Sequence, residues 1–482
     1  MLGLLLAAAV AAATTDMDLQ ERHRNETRLH NYSRLVSPKT LVASGGGSLG
    51  AYQAGFLYYY TLFLKGRRPQ DLFLSSTAPK LDRFRIAAGS SAGAINALLT
   101  LLTGCLAGGA DAPAFAAPES SLFYRTWIPI GFKELTEAPD ADDALLRNPV
   151  SRAVASGLAP LFEAGGGDGS PWRAEGCEAF LALPATRLRR RPIEVAEELR
   201  SDPTRIRLHR QSEKFLLHLT AGPGEAPRFA FHRLEAESHA PSLVTEVYPT
   251  LDRGEATRPE EVVVRVDDVF DLVQAASAFP LALPTKALSI RTWRRSGDGY
   301  TSDAADVRFT DGGWLDNIPL RMARDVTESV APGEDSSYLF LLSDAIRWRR
   351  PEAANPANPP SDSIIGEFGS ALFQFIDSAT DTQLLEVLEE SPIRSDIPGR
   401  RLPVTADLLA HFFAFVETDF RRFDFYQGML DADAYLESPV PLPAQGASAA
   451  PLACMRKARQ QAQALVRSAG ADVEPPPLPA VC

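Results

Sequence analysis

Three glycine-rich turns in this sequence carry residue types that could do chemistry together. The first is Gly89-Ser90-Ser91-Ala92-Gly93, a G-x-S-x-G stretch. The apolar run Arg85 to Ala88 before it reads as a strand, and the Ala- and Leu-rich run Ser91 to Thr103 after it reads as a helix. In that setting a serine sits on a strained turn with its hydroxyl pointing out above the sheet, and the flanking glycines leave backbone where no side chain fits. The helix that starts there adds the positive end of its dipole. Ser91 is therefore the candidate nucleophile, with Gly89 and Gly93 as its supports.

A serine hydroxyl attacks a carbonyl only if a base takes its proton. Histidine is the usual partner. Of His23, His30, His209, His218, His232, His239 and His411, none follows a strand in a glycine-bounded turn. His218 and His232 fall in apparent strands and His411 in a helical segment, where a structural role fits better. The second turn, Asp311-Gly312-Gly313, offers a different base: an apolar strand, Asp306 to Thr310, delivers an Asp to a turn with glycines behind it. Such an Asp can contact the serine directly. Taken alone, Asp-Gly is also a common turn dipeptide.

The third turn, Gly45-Gly46-Gly47-Ser48-Leu49-Gly50, matches G-x-G-x-x-G between the apolar run Thr40 to Ser44 and the apolar segment Leu49 to Leu64. A dinucleotide site would need an acidic residue about 20 positions on. Asp71 stands near that distance but in a loop. A P-loop would need Gly-Lys-Ser/Thr, which is absent. In an acyl hydrolase such a turn gives backbone N–H groups to a tetrahedral oxyanion.

Behind these turns the chain alternates strand and helix through Leu342, which predicts an α/β fold with a mostly parallel central sheet flanked by helices. Residues 104–210 read as a large insertion of long loops with helical pieces such as Pro192 to Arg200. Lys214 to Thr220 and Pro227 to Leu234 read as a hairpin around Ala221-Gly222-Pro223-Gly224. Val266 to Ala278 has helical spacing and stops before Pro280. Pro319 to Val326 reads as a helix and Tyr338 to Ser343 as a strand. Residues 345–482 look mainly helical (Ile364 to Glu390, Val404 to Phe415, Asp431 to Leu436, Leu452 to Arg467) and end in the Pro-rich tail Pro475 to Pro479.

Composition narrows the partners. A chain with 45% apolar residues has material for a large core, and a net charge of −12 makes nucleic acid a poor partner. The basic clusters Arg187-Leu188-Arg189-Arg190-Arg191 and Arg347-Trp348-Arg349-Arg350 read as solvated surface. The four cysteines, Cys105, Cys177, Cys454 and Cys482, match no zinc spacing. They permit two disulfides, Cys454 with Cys482 being the simplest pairing, or thiols. Leu2 to Ala13 is too short for a bilayer, which takes about 20 residues. With Ala11-Ala12-Ala13 as a cleavage site it reads as a signal peptide over residues 1–13, although no Lys or Arg precedes it. The expectation is an exported protein, periplasmic or secreted, with a cytoplasmic one as the alternative if the segment stays on the chain.

The three turns in this order resemble the patatin-like phospholipase family. Gly50-Ala51-Tyr52-Gln53-Ala54-Gly55, Ala275-Ala276-Ser277-Ala278-Phe279-Pro280 and Asp311-Gly312-Gly313-Trp314-Leu315-Asp316-Asn317-Ile318-Pro319 are similar to bacterial members, and Asp424-Phe425-Tyr426-Gln427-Gly428-Met429 more weakly so. The resemblance implies a catalytic domain over 40–344 that hydrolyses phospholipid or other lipid esters at a membrane or micelle surface, with no cofactor and no metal. It implies Ser91 as nucleophile and Asp311 as proton acceptor, braced by Gly312 and Gly313, and an oxyanion hole in Gly45, Gly46, Gly47, Ser48 and Gly50. One position departs: members usually carry Arg or Lys before the last glycine of the oxyanion turn, where this chain has Leu49. That departure keeps a catalytically weakened lipid-binding protein open beside hydrolysis; an acyltransferase on the same fold is a separate alternative.

Overall fold

The computed structural model describes residues 39–66, 83–108, 118–131, 170–193, 208–233, 247–254, 256–279, 283–296, 299–331, 337–342, 394–400 and 417–436, with a few single positions besides. The segment 1–13, the helices expected at 364–390 and 452–467, nearly all of that at 404–415, the basic cluster at 347–350 and the Pro-rich tail lie outside the described residues.

In chain order the elements are β1 (Lys39–Ala43), α1 (Gly50–Gly66), β2 (Ile86–Gly89), α2 (Ala92–Cys105), α3 (Leu122–Trp127), β3 (Cys177–Ile193), β4 (Leu208–Ala221), β5 (Arg228–Phe231), β6 (Val247–Leu251) and β7 (Val263–Val264). They continue with α4 (Val266–Ala276), β8 (Lys286–Ser296), β9 (Gly299–Thr310), α5 (Leu320–Val330), β10 (Ser337–Leu341), β11 (Arg394–Asp396) and α6 (Thr418–Leu436). The strands join one sheet in the order β11-β10-β1-β2-β3-β4-β5-β7, with β9 also on β3, β8 on β9 and β6 on β8.

The fold is α/β, but the sheet is mixed rather than mostly parallel. Parallel pairing runs only across β11, β10, β1, β2 and β3. Every pairing beyond β3 is antiparallel. The expectation included the hairpin at 214–234 but missed β3 and the antiparallel pairing of β8 with β9. Ser296 of β8 pairs with Gly299 of β9, only three positions on, a spacing that only antiparallel neighbours permit. β3 itself corrects the reading of 104–210 as insertion: it lies mid-sheet, between β2 and β4. Pro184 and the run of arginines hide its alternation, and residues 192–193 belong to this strand rather than to a helix. The expected hairpin is present as β4 and β5.

Both sheet faces are covered, as the period-2 alternation of buried strands requires. Leu41 and Ala43 of β1, Ala87 of β2 and Leu181 and Leu183 of β3 pack with α1, α2 and α4 in the larger core. Val42, Ile86, Ala88, Phe180 and Ala182 point the other way, onto Leu320, Met322, Ala323 and Val326 of α5. α1 is buried on nearly every side because α6 lies across it. The Tyr52 hydroxyl donates to Asp431 Oδ2 at 3.0 Å, and the rings of Tyr58 and Phe425 sit 6.0 Å apart. The buried Arg421 fixes the start of α6 by donating to the carbonyls of Ile128 (2.9 Å) and Phe415 (2.7 Å).

A disulfide joins Cys105, at the end of α2, to Cys177, at the start of β3. Cys454 and Cys482 lie outside the described residues. The bridged cysteines are separated by 72 positions. A loop of that length corresponds to about 4 kcal/mol in the chain-entropy account. The Cys105→Ser/Cys177→Ser double variant should melt well below the wild type, and reductant should lower the wild-type Tm without moving that of the variant. A reductant-insensitive Tm in both would show that the bridge contributes nothing.

Candidate active site

β3 is the ruler on which the site is set out. One edge pairs with β4 along its length. On the other edge β2 pairs with residues Phe180, Leu181 and Ala182, and β9, running the opposite way, pairs with Thr186 and Arg187. β2 and β9 therefore end facing each other across a gap of about 10 Å, the rise of three strand residues. Pro184 lies in that gap, where a residue without an N–H leaves no ladder bond unmade. The turn after β2 carries Ser91 and the turn after β9 carries Asp311, so two distant positions are brought to the same place.

Ser91 has φ 52° and ψ −125° and is the one described non-glycine residue with positive φ. Backbone of this kind costs about 1–3 kcal/mol and persists only when its surroundings hold it. They do: the Ser91 N–H donates to the Ala276 carbonyl (3.1 Å) and the Ser90 N–H to the Ala43 carbonyl (3.2 Å). A Cβ on Gly93 would fall 2.2 Å from the Ala43 oxygen, and one on Gly89 would fall 2.1 Å from the Gly93 oxygen, so neither position admits a side chain. Ser91 stands at the N-cap of α2 but its side chain makes no capping bond. The hydroxyl is left at the positive end of the helix, half-exposed.

Asp311 is buried, at 2% exposure. Its N–H donates to the Ala278 carbonyl (2.9 Å), to which the Thr310 hydroxyl also donates (2.7 Å). The Gly313 N–H donates to Asp311 Oδ1 at 2.7 Å, and Gly312 packs against the Pro184 carbonyl. Asp311 Oδ2 is buried and completes no hydrogen bond with the described residues. Burial pushes the carboxyl up to about 6, an effect that the adjacent Ser91 hydroxyl and the Gly313 N–H partly offset. Ala276 and Ala278, at the end of α4, hold both turns through their carbonyls.

The turn between β1 and α1 is built differently from its simplest expectation. The Gly45 N–H donates to Asn317 Oδ1 at 3.0 Å. The Gly50 N–H bonds within the turn to the carbonyls of Gly47 and Ser48. Gly45 and Gly50 therefore shape the turn rather than donate to a ligand, and Ser48 is buried. The N–H groups of Gly46 and Gly47 make no hydrogen bond with the described residues, and both glycines are half-exposed beside the serine turn. A Cβ on Gly45 would meet Asn317 Oδ1 at 2.6 Å and Ser91 Cβ at 2.9 Å, which puts this turn in contact with both others. Leu49 is fully buried with Tyr52 and Val404. The buried guanidinium of Arg400 lies 5.9 Å from the Tyr52 ring centroid.

Several positioning residues carried signals that went unread. Gln53 and Asn96 are amides in otherwise apolar helices. Gln53 Nε2 donates to the carbonyls of Ser44 (3.0 Å) and Leu341 (3.2 Å). Asn96 Nδ2 donates to the Gly50 carbonyl and to Gln53 Oε1, both at 3.1 Å. Trp127 Nε1 donates to Asn96 Oδ1 at 2.7 Å. The two ends of the Gly45–Gly50 turn are held by this one network. Asn317 lies within the Asp311 segment, and its distance from Gly45 in sequence concealed the link. Among the described residues there is no group of His, Cys, Asp and Glu side chains able to hold a metal ion.

A protein-family model described as Patatin-like phospholipase matches residues 41–324, more than half of the 482-residue chain. No curated protein matches the chain. The matched span runs from β1 into α5 and holds all three turns. The chain belongs to the patatin-like phospholipase family, whose general activity is the hydrolysis of lipid acyl esters.

Proposed function

We propose that this protein is a lipid acyl hydrolase of the phospholipase A or lysophospholipase type, with Ser91 as nucleophile and Asp311 as its base. The observation that carries the reading is a buried carboxyl beside a half-exposed serine on a strained turn. Ser91 Oγ attacks the ester carbonyl and its proton passes to Asp311. The carbonyl π electrons move to oxygen, and the N–H groups of Gly46 and Gly47 receive that oxyanion. Collapse of the intermediate breaks the bond to the alcohol, which leaves with the proton from Asp311. Water then attacks the acyl-Ser91 ester, giving its proton to Asp311; collapse of this second intermediate breaks the bond to Ser91 Oγ, which takes the proton back from Asp311, and fatty acid is released. Asp311 serves both halves because it must be ionised to begin each, and a buried carboxyl is a stronger base than a solvated one.

The variants Ser91→Ala and Asp311→Asn should hydrolyse a short-chain aryl ester and phospholipid vesicles at least about 1000-fold more slowly than the wild type. Only proteins that retain Ser91 should react with a fluorophosphonate. Equal rates in all three proteins would sink the assignment. The base must be ionised, so kcat/KM should fall as pH drops through about 6. A profile flat from pH 5 to 8 would remove Asp311 from the role.

The same carboxyl affects stability. Its folded value lies above the unfolded value of 3.8, so the folded state binds more protons between pH 4 and 6 and loses stability as pH rises through that window. Asp311→Asn keeps the acceptor for the Gly313 N–H and removes the charge. It should raise Tm at pH 8, with the difference shrinking toward pH 4. An unchanged or lowered Tm at pH 8 would contradict the buried-charge account.

A further inference from the structure

The basic cluster at 187–191 is not a plain solvated stretch. Thr186 pairs with Ser212, and the next antiparallel pair is Arg191 with Arg210, so residues 187–190 stand opposite Gln211 alone. This bulge is pinned at both ends. Arg187 Nη1 and Arg191 Nε both donate to Glu213 Oε1, at 2.8 and 2.9 Å, and Glu213 is buried. Two cations are thereby consumed on one buried carboxylate, and the residues between them are turned outward. Leu188 is 50% exposed. Arg189, Arg190 and, across the ladder, His209 and Arg210 are exposed as well. Arg189, Arg190 and Arg210 form no ion pair with the described residues.

The register says where this bulge lies. Ala88 of β2 is level with Ala182 of β3, and the two strands run the same way. Ser91 leaves the sheet at the end of β2. Continuing along β3, Leu188 to Arg190 project on the order of 15 Å past that end, at about 3.3 Å per residue less the bulge. The arm therefore stands on the end of the sheet where the candidate nucleophile opens. The protein as a whole is acidic, at −12, so three unpaired guanidinium groups and an exposed leucine at this end set an orientation as well as an attraction.

We propose that the Leu188–Arg190 bulge with Arg210 is an interfacial docking site for anionic lipid, which seats the Ser91 end of the sheet on the bilayer. Guanidinium groups pair with phosphate oxygens bidentately, Leu188 enters the headgroup boundary, and the acidic remainder of the molecule is repelled from the surface. This rests on the reading of the protein as a lipid acyl hydrolase, but its test does not require turnover. Each basic residue near an anionic leaflet adds about fivefold to partitioning.

Binding is measured by vesicle co-sedimentation in the Ser91→Ala background, which leaves the lipid intact. Two vesicle compositions serve, phosphatidylcholine alone and an equal mixture with phosphatidylglycerol. The expected result is binding to the anionic vesicles at least tenfold tighter than to the neutral ones, weakening as salt rises to 0.5 M. The triple variant Arg189→Gln/Arg190→Gln/Arg210→Gln should lose at least tenfold on anionic vesicles with its Tm unchanged, and Leu188→Ser should weaken binding to both compositions. Equal binding to the two compositions, or a triple variant that binds anionic vesicles as the parent does, would overturn the proposal. The latter is also the outcome if these arginines serve an acidic protein partner. Loss of hydrolysis in the wild type with anionic binding intact would strike the catalytic reading alone.

Discussion

The Asp311 carboxyl sits with one oxygen on the Gly313 N–H and the other buried, completing no hydrogen bond with the described residues. Burying a carboxylate this way is unfavourable unless the surroundings forbid any alternative. In this fold they do, because Asp311 begins where β9 ends, and β9 ends where β3 already carries β2 on the same edge. The backbone behind the side chain is held by the Ala278 carbonyl. The serine turn is subject to the same constraint. Its positive φ is kept by the Ala276 carbonyl, from the same end of α4. Two unfavourable conformations are thus enforced by one helix terminus and one strand edge.

The third turn is joined to this pair by polar contacts through the core. Asn317 binds Gly45 from the Asp311 side, Gln53 binds the Ser44 carbonyl, and Asn96 binds the Gly50 carbonyl. Trp127 sets the orientation of Asn96, since an indole N–H can only donate. A buried amide with an unmet partner would be costly, so each member holds the next in place. The consequence is selective. The amides occupy the Gly45 N–H and the carbonyls of Ser44 and Gly50, and the N–H groups of Gly46 and Gly47 make no hydrogen bond with the described residues.

The turns were legible in the sequence because their chemistry is local: a strand, a glycine, a reactive side chain, a helix. Ser91, Asp311 and the Gly45–Gly50 turn could each be named from neighbours only. Their meeting is implied only by the family resemblance and not by spacing, because it depends on β3, and β3 looks unlike a strand. Pro184 stands where no ladder bond is required, and its arginines are drawn inward by Glu213 or turned out in a bulge. Both facts belong to partners distant in sequence. The parallel sheet was overestimated for a related reason. Alternation of strand and helix reports how a chain begins its fold, but the β8–β9 hairpin and the β4–β5 hairpin add antiparallel strands without adding helices. Helix α6 is legible in the sequence only over its last turns, Asp431 to Leu436, while its seat on α1 rests on Tyr52 and Asp431, which no local pattern connects.

Leu49 shows how the same constraint reaches a position that does no chemistry. A cation there would need a route to solvent or a counter-charge, and the side chain instead faces Tyr52 and Val404 with no exposure. Tyr52 in turn is fixed by Asp431 of α6 on one side and overlain by Arg400 on the other. Packing has therefore been substituted for charge at the turn, and the C-terminal helix is part of that packing. In the proposed mechanism this leaves the developing oxyanion to backbone donors held in advance of the reaction, the arrangement in which such donors are most effective because nothing must reorganise when charge appears. The rigidity of Gly46 and Gly47 then matters more than it would beside a mobile cation. That rigidity is supplied from outside the turn, by Asn317, Gln53 and Asn96, and the burial of Leu49 is consistent with it.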